Sequence, residues 1–121
     1  MLREARIIMP TLDNNREPLG VLHNQLSALI VDHFNGVTVT KAEGLWRDPR
    51  GAIVRDCSLV YHIAASQDDA PTLRMMAGWA ALEGRQECVY LTLPNGAVEF
   101  VKPAAWHAAS AQERRAALHV V

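Results

Sequence analysis

Two strand-forming runs near the middle of the chain are separated only by Arg47-Asp48-Pro49-Arg50-Gly51. Asp, Pro and Gly stand there in the order a tight reverse turn prefers. A parallel pair needs a crossover of a dozen or more residues, so a link this short makes the two strands an antiparallel hairpin. The first run, residues 37–46, opens on the β-branched string Val37, Thr38, Val39 and Thr40. The second, residues 52–64, follows the turn at once. Gly44 is expected to bulge or bend the first of these strands.

A helical pattern lies on each side of this hairpin. Between residues 16 and 33, Leu19, Leu22, Leu26, Leu29 and Ile30 recur on one face at helical period. Asp13, Asn14 and Asn15 supply turn and cap chemistry before that helix, with Pro18 in its first turn, and Asn35-Gly36 supplies the C-cap after it. Pro71 opens a second helix over residues 71–83, preceded by Asp68-Asp69 as N-cap residues and closed by Gly84. Further strands are predicted at residues 5–11, around Ile7, Ile8 and Met9, and at 87–93. A short fifth strand follows at 97–101, across the turn Pro94-Asn95-Gly96. Ser110 and Glu113 have capping-box spacing and predict a brief terminal helix over residues 111–118.

The order βαββαβ implies an α+β, ferredoxin-like plait with strand order 4-1-3-2 and both helices on one sheet face. The C-terminal strand and short terminal helix are additions to it. At 121 residues the chain suits one domain over 1–121, with 102–121 as a tail packed on the domain or on a partner. Such a domain buries about two-thirds of its unfolded surface and needs neither disulfide nor metal for stability. Cys57 and Cys88 fall on separate, non-adjacent strands and are read as reduced core thiols of a cytoplasmic protein.

Twelve Lys and Arg against thirteen Asp and Glu give a formal net charge of −1. That balance supplies no electrostatic reason to expect nucleic acid or an anionic membrane as partner. No run reaches the ~20 apolar residues of a membrane span, and the N-terminus is too charged for a signal peptide. With 6% aromatics and no RNA-binding signature in the strands, nucleic acid is not expected on the sheet.

Motif-borne chemistry is missing too. There is no GxSxG, P-loop or GxGxxG, and Asp68-Asp69 is explained by capping. His23 and His33 stand ten residues apart on helix one, not at the i, i+4 spacing that puts two imidazoles on one ion. His62, His107 and His119 have no partner at ligand spacing. No catalytic residue, metal site or cofactor is assigned.

Two groups of residues remain. Helix two is apolar nearly all round: Leu73, Met76, Ala77 and Ala80 suit a sheet-facing stripe, while Met75, Trp79 and Leu82 project elsewhere. A helix of that kind is normally covered. The tail with Trp106 and Leu118 is one cover, and a homodimer or protein partner touching Met75, Trp79, Leu82 and Trp106 is the other. The second group, Trp46, Arg47, Arg50 and Arg55 around the hairpin, suits a carboxylate, a phosphate or a partner contact. Tyr61 and His62 are further candidate contacts.

The stretch 34–56, FNGVTVTKAEGLWRDPRGAIVRD, resembles a family of small bacterial and phage-associated proteins of unknown function. The likeness lies in Phe-x-Gly, a Thr-containing strand, Gly-x-Trp-Arg and a Gly turn. Residues 86–101 are similar to that family's final strands. The resemblance implies a structural role for Gly36, Gly44 and Gly51 in a hairpin pinned by Trp46, and carries over no catalytic residue.

These readings lead to the expectation of a non-enzymatic interaction or accessory protein, homodimeric or bound to another protein, of phage or mobile-element origin. The alternative is a small-molecule binder or enzyme of the dimeric α+β barrel type, with His62 or His33 in a cavity and Tyr61 beside it.

Overall fold

The computed structural model describes residues 1–107 and Arg114. Five strands and three helices follow in the order β1 (Arg3–Pro10), α1 (Gly20–Phe34), β2 (Thr38–Arg47), β3 (Ile53–Ala65), α2 (Ala70–Glu83), β4 (Val89–Thr92), β5 (Val98–Val101) and α3 (Ala104–His107). The sheet order is β2-β3-β1-β4-β5, antiparallel throughout. Its first four strands are the ferredoxin-like plait, and β5 extends the sheet beyond β4. The expected terminal helix at 111–118 lies outside the described residues, apart from Arg114. The short helix that is described, α3, starts directly after Pro103.

Strand pleating divides the sheet into two faces. Along β1, Ala5, Ile7 and Met9 are fully buried, whereas Glu4 and Arg6 are exposed and Ile8 is half-buried. The partners of the buried row are buried on β3 as well: Ile63 opposite Ala5 and Tyr61 opposite Ile7. Leu22, Leu26, Leu29 and Ile30 of α1 join this face, as do Leu73, Met76, Ala77, Ala80 and Ala81 of α2, in one contiguous core. Each large aliphatic side chain buried there contributes about 1.5–3 kcal/mol.

Local chemistry moves the start of α1 from the expected residue 16 to Gly20. Asp13 Oδ1 accepts hydrogen bonds from the backbone N–H of Asn15 (2.8 Å) and Glu17 (2.9 Å), and Leu19 N–H donates to the Thr11 carbonyl (2.9 Å). Those bonds hold residues 13–17 in a turn. Asn35 ends the helix at φ 66°, the left-handed cap its residue type favours. In the hairpin, Asp48 Oδ1 accepts the N–H groups of Arg50 and Ala52, both at 2.9 Å, and Gly51 takes φ +86°. Gly44 makes no bulge, because its pairing with Asp56 continues the register unbroken. Before α2, Asp69 Oδ2 accepts from Ser66 N–H (2.8 Å) as a capping box.

Helix α2 is covered on both sides, by the sheet and by α3. A Cβ added at Gly78 would sit 2.9 Å from the Trp106 backbone nitrogen and 3.2 Å from Ala105 Cβ, so only glycine lets α3 settle there. Trp106 is buried, and the Arg114 guanidinium lies 5.9 Å from its ring centre. Arg74 clamps α2 to β5 by donating from Nε and Nη2 to the two Glu99 oxygens, each at 2.8 Å. The hydrogen bonds from Arg74 hold the Glu99 carboxyl below its usual pKa.

A polar pair sits inside the apolar layer. His23 Nε2–H donates to the Pro10 carbonyl at 2.8 Å, which leaves Nδ1 to accept the Tyr61 hydroxyl at 2.5 Å. The two rings stack at 5.8 Å between centres. Burial raises the Tyr61 pKa above its ordinary 10.0.

Two stability predictions follow from this packing. Gly78→Val forces α3 away from α2 and lowers the unfolding free energy in urea by about 1–3 kcal/mol, with only a few tenths returned through helix propensity. Tyr61→Phe strands the buried Nδ1 and costs about 1–3 kcal/mol in the same measurement. Because folded Tyr61 keeps its proton where the unfolded chain releases it, its stabilisation is full below about pH 10 and is lost as pH rises through the folded pKa. The alkaline limb of a stability–pH curve should therefore flatten in Tyr61→Phe.

Candidate functional site

Among the described residues, no helix covers the other sheet face. Register places its residues in rows across the strands. One row runs Thr38, His62, Arg6, Thr92, Val98, and the next runs Thr40, Val60, Ile8, Tyr90, Phe100. Glu4 stands one row beyond Arg6 on β1. The face thus has a polar end on β1–β3–β2 and an aromatic end on β4–β5.

At the polar end four side chains are linked. Arg6 Nε donates to Glu4 Oε2 at 2.8 Å, and His62 Nδ1 lies 3.0 Å from Glu4 Oε1. His62 Nε2 meets Thr40 Oγ1 at 2.9 Å. With a neutral imidazole, Nδ1–H donates to the carboxylate and Nε2 accepts the threonine hydroxyl. The Arg6 hydrogen bond, with that from His62, holds the Glu4 carboxyl below its usual pKa and ionised at neutral pH. Each Glu4 oxygen retains acceptor capacity, and Arg6 commits only Nε to a partner among the described residues. At the aromatic end, Tyr90 and Phe100 meet edge to face with centres 5.6 Å apart. Phe100 is 66% exposed and Val98 48%, an apolar shelf beside the polar network.

The residues singled out by sequence go to several places. Tyr61 and His62 are adjacent on β3 and therefore point to opposite faces, Tyr61 into the core and His62 onto the open face. The histidine beside Tyr61 is His23, not His33 or His62. At the hairpin, Trp46 Nε1–H donates to Asp56 Oδ2 (2.6 Å), Arg47 Nη1 to the Gly51 carbonyl (2.6 Å) and Arg55 Nη1 to Glu43 Oε1 (2.5 Å). Arg50 is exposed at the turn, so the three arginines do not converge. Met75, Trp79 and Leu82 are half-buried and Trp106 is buried. Exposed large apolar side chains lie on the hairpin (Val39, Leu45, Trp46, Ile53), on β5 (Val98, Phe100), on the outer side of α1 (Val21, Val31) and near the N-terminus (Met1, Leu2, Leu12).

Cys57 is exposed, which corrects its reading as a core thiol; Cys88 is half-buried, and neither is bridged. Cys57 lines an open cleft of about 400 Å³ with Thr11, Lys41, Ala42, Glu43, Ser58 and Leu59. A second, of about 320 Å³, lies among Met1, Arg3, Ser66, Gln67, Asp68, Pro94 and Asn95. Neither cleft contains the Glu4–His62 network. Among the described residues no three His, Cys, Asp or Glu converge in a metal-binding group. No described helix is long and apolar enough to cross a membrane.

The sequence pointed to His62, and to Tyr90 on the fourth strand, but not to Glu4, Arg6, Thr40 and Phe100 as their companions. The one signal available was alternation along β1, where Glu4 and Arg6 flank the buried Ala5 and Ile7.

No protein-family model matches the chain, and no curated protein matches it significantly. Among solved structures, it is similar to a phage SAM lyase in complex with S-methyl-5'-thioadenosine. The TM-score is 0.61 at 15% identity, over 81% of this chain and 84% of that one. A phage SAM lyase in the apo state is similar at TM-score 0.56 and 14% identity, over 81% and 85%. At such identity the likeness shows the fold alone. These neighbours are enzymes of phage, a finding that runs against the expectation of a non-enzymatic interaction protein.

Proposed function

We propose that this chain is a small-molecule enzyme of phage or mobile-element origin, and that its ligand is S-adenosylmethionine or a close 5'-thioadenosine relative. The observation that carries the reading is the open sheet face. A paired carboxylate and guanidinium share that face with the exposed Phe100 ring and the half-buried Tyr90 ring, on a fold similar to that of phage SAM lyases.

The chemistry of the ligand matches the two ends of this face. Glu4 and Arg6 together complement an amino-acid zwitterion, Glu4 accepting from the ammonium and Arg6 donating to the carboxylate. Phe100 and Tyr90 offer ring surface to an adenine. Arg6 on β1 and Phe100 on β5 are two strand spacings apart, about 10 Å, a span suited to a nucleoside carrying an aminobutyryl arm. His62, held between Thr40 and Glu4, is oriented to hydrogen-bond the ligand's polar middle.

Cleaving a sulfonium returns the C–S electron pair to sulfur and releases a neutral thioether, a leaving group that needs no acid. The carbon left behind bonds to an oxygen of the substrate's own carboxylate and closes a lactone. The protein's part is then to bind and orient the substrate. A carboxylate near a sulfonium or ammonium stabilises the charged ground state, so Glu4 is assigned to binding more than to rate. A cytoplasmic site of action accompanies this reading, supported by two unpaired cysteines.

The test is calorimetric titration with S-methyl-5'-thioadenosine and S-adenosylmethionine, alongside chromatographic detection of released S-methyl-5'-thioadenosine. Binding of both ligands with release of the thioether is the expected result. Glu4→Gln should weaken S-adenosylmethionine binding about tenfold while leaving S-methyl-5'-thioadenosine, which lacks the amino-acid arm, nearly unchanged. Phe100→Ala should weaken both. No binding of either compound would overturn the reading.

A further inference from the structure

We infer that the Arg74–Glu99 ion pair is a positioning device for the aromatic end of the open sheet face, holding Phe100 where a ligand's ring can meet it. The inference rests on the reading of that face as a nucleoside site. It brings α2, on the opposite side of the sheet, into that site's construction.

Of the described strands, β5 has the thinnest support. It is four residues long and lies at the sheet's edge, paired with β4 from Val101 opposite Val89 to Val98 opposite Thr92. Short edge segments open locally at low free-energy cost. Two contacts secure its ends: the Asn95 N–H in the turn before it donates to Gln67 Oε1 at 2.9 Å, and Val101 is buried in the core. Between those points, Glu99 ties the strand to the helical layer. Arg74 and Glu83 are the only charged residues of α2, so a cation stands in an otherwise apolar helix where it reaches β5.

Consecutive strand residues point to opposite faces, so the direction of Glu99 on the helical side sets that of Phe100 on the open side. Arg74 Nε and Nη2 donate to both Glu99 oxygens, each at 2.8 Å. A single bond would act as a swivel, whereas this paired fork resists rotation of the strand about its axis. The two side chains are 43% and 34% exposed, and ion pairs so exposed usually add little to stability. Direction, more than energy, is what β5 gains. Phe100 needs it, being 66% exposed and in ring contact with Tyr90 edge to face. Tyr90 is anchored opposite Ile8 of β1. The separation of the Phe100 ring from Glu4 and Arg6 therefore depends on how β5 is held beside β4.

Two measurements on the full chain test the inference. Without ligand, Arg74→Met should shift the NMR resonances of the Tyr90 and Phe100 ring protons. It should also lower hydrogen-exchange protection of the β5 amides about tenfold, and that of the β1 amides much less. In calorimetry, Arg74→Met should weaken S-methyl-5'-thioadenosine binding about fivefold. In a Phe100→Ala background the same change should cost nothing further, because the ring it positions is gone. A merely structural role would cost the same in both backgrounds. Glu99→Gln should reproduce these effects at smaller size, and replaces Arg74→Met if that variant does not fold. Unchanged ring resonances and β5 protection, or equal losses in the two backgrounds, would overturn the inference and leave the ligand reading standing. A wild type that binds no 5'-thioadenosine compound would overturn both.

Discussion

The ladder between β1 and β3 is the interaction on which the rest of the molecule depends. Eight residue pairs run from Arg3 opposite Ala65 to Pro10 opposite Ser58, and β1 carries β4 on its other edge. Because side chains alternate with period two, this one register decides both faces at once. It sends Ala5, Ile7 and Met9 beneath the helices with Tyr61 and Ile63. It sends Glu4 and Arg6 to the open side with His62. A one-residue slip would bury the ion pair and expose the core, so the same apolar burial that holds the sheet also assembles the polar network.

On the helical side the composition of α2 finds its explanation. An all-round apolar helix needs contacts on more than one side, and α2 has them: the sheet, the Arg74–Glu99 clamp to β5, and α3 seated over Gly78. The large apolar residues left in solvent are elsewhere, on the hairpin, on β5, on the outer side of α1 and near the N-terminus. Attention drawn to Met75 and Trp79 by sequence moves to Phe100 and Val98 once the fold is seen.

The missing motifs have a related cause. Chemistry carried by a loop or one helix turn leaves a local signature, as a P-loop does. A site on a sheet face draws its residues from strands far apart in sequence. Glu4 and His62 are separated by 58 positions, and Tyr90 and Phe100 come from a third and a fourth strand. No spacing rule collects such residues. The lack of motifs speaks only to motif-borne chemistry and carries no weight against a site whose residues are gathered on a sheet face.

The sequence by itself determined the order of the elements, the antiparallel hairpin and the plait, because each rests on short-range physics. Asp48 and Gly51 make the turn, leucine periodicity makes α1, Asn35 caps it and Asp69 with Pro71 starts α2. It also placed a fifth strand after the turn at Asn95-Gly96. Only the tertiary structure decided that His23 and not His33 meets Tyr61, that α3 covers α2, and that Glu4, Arg6, Thr40 and His62 meet. Those outcomes depend on strand register and helix docking, which come from long-range burial and have no representation in any local window of residues.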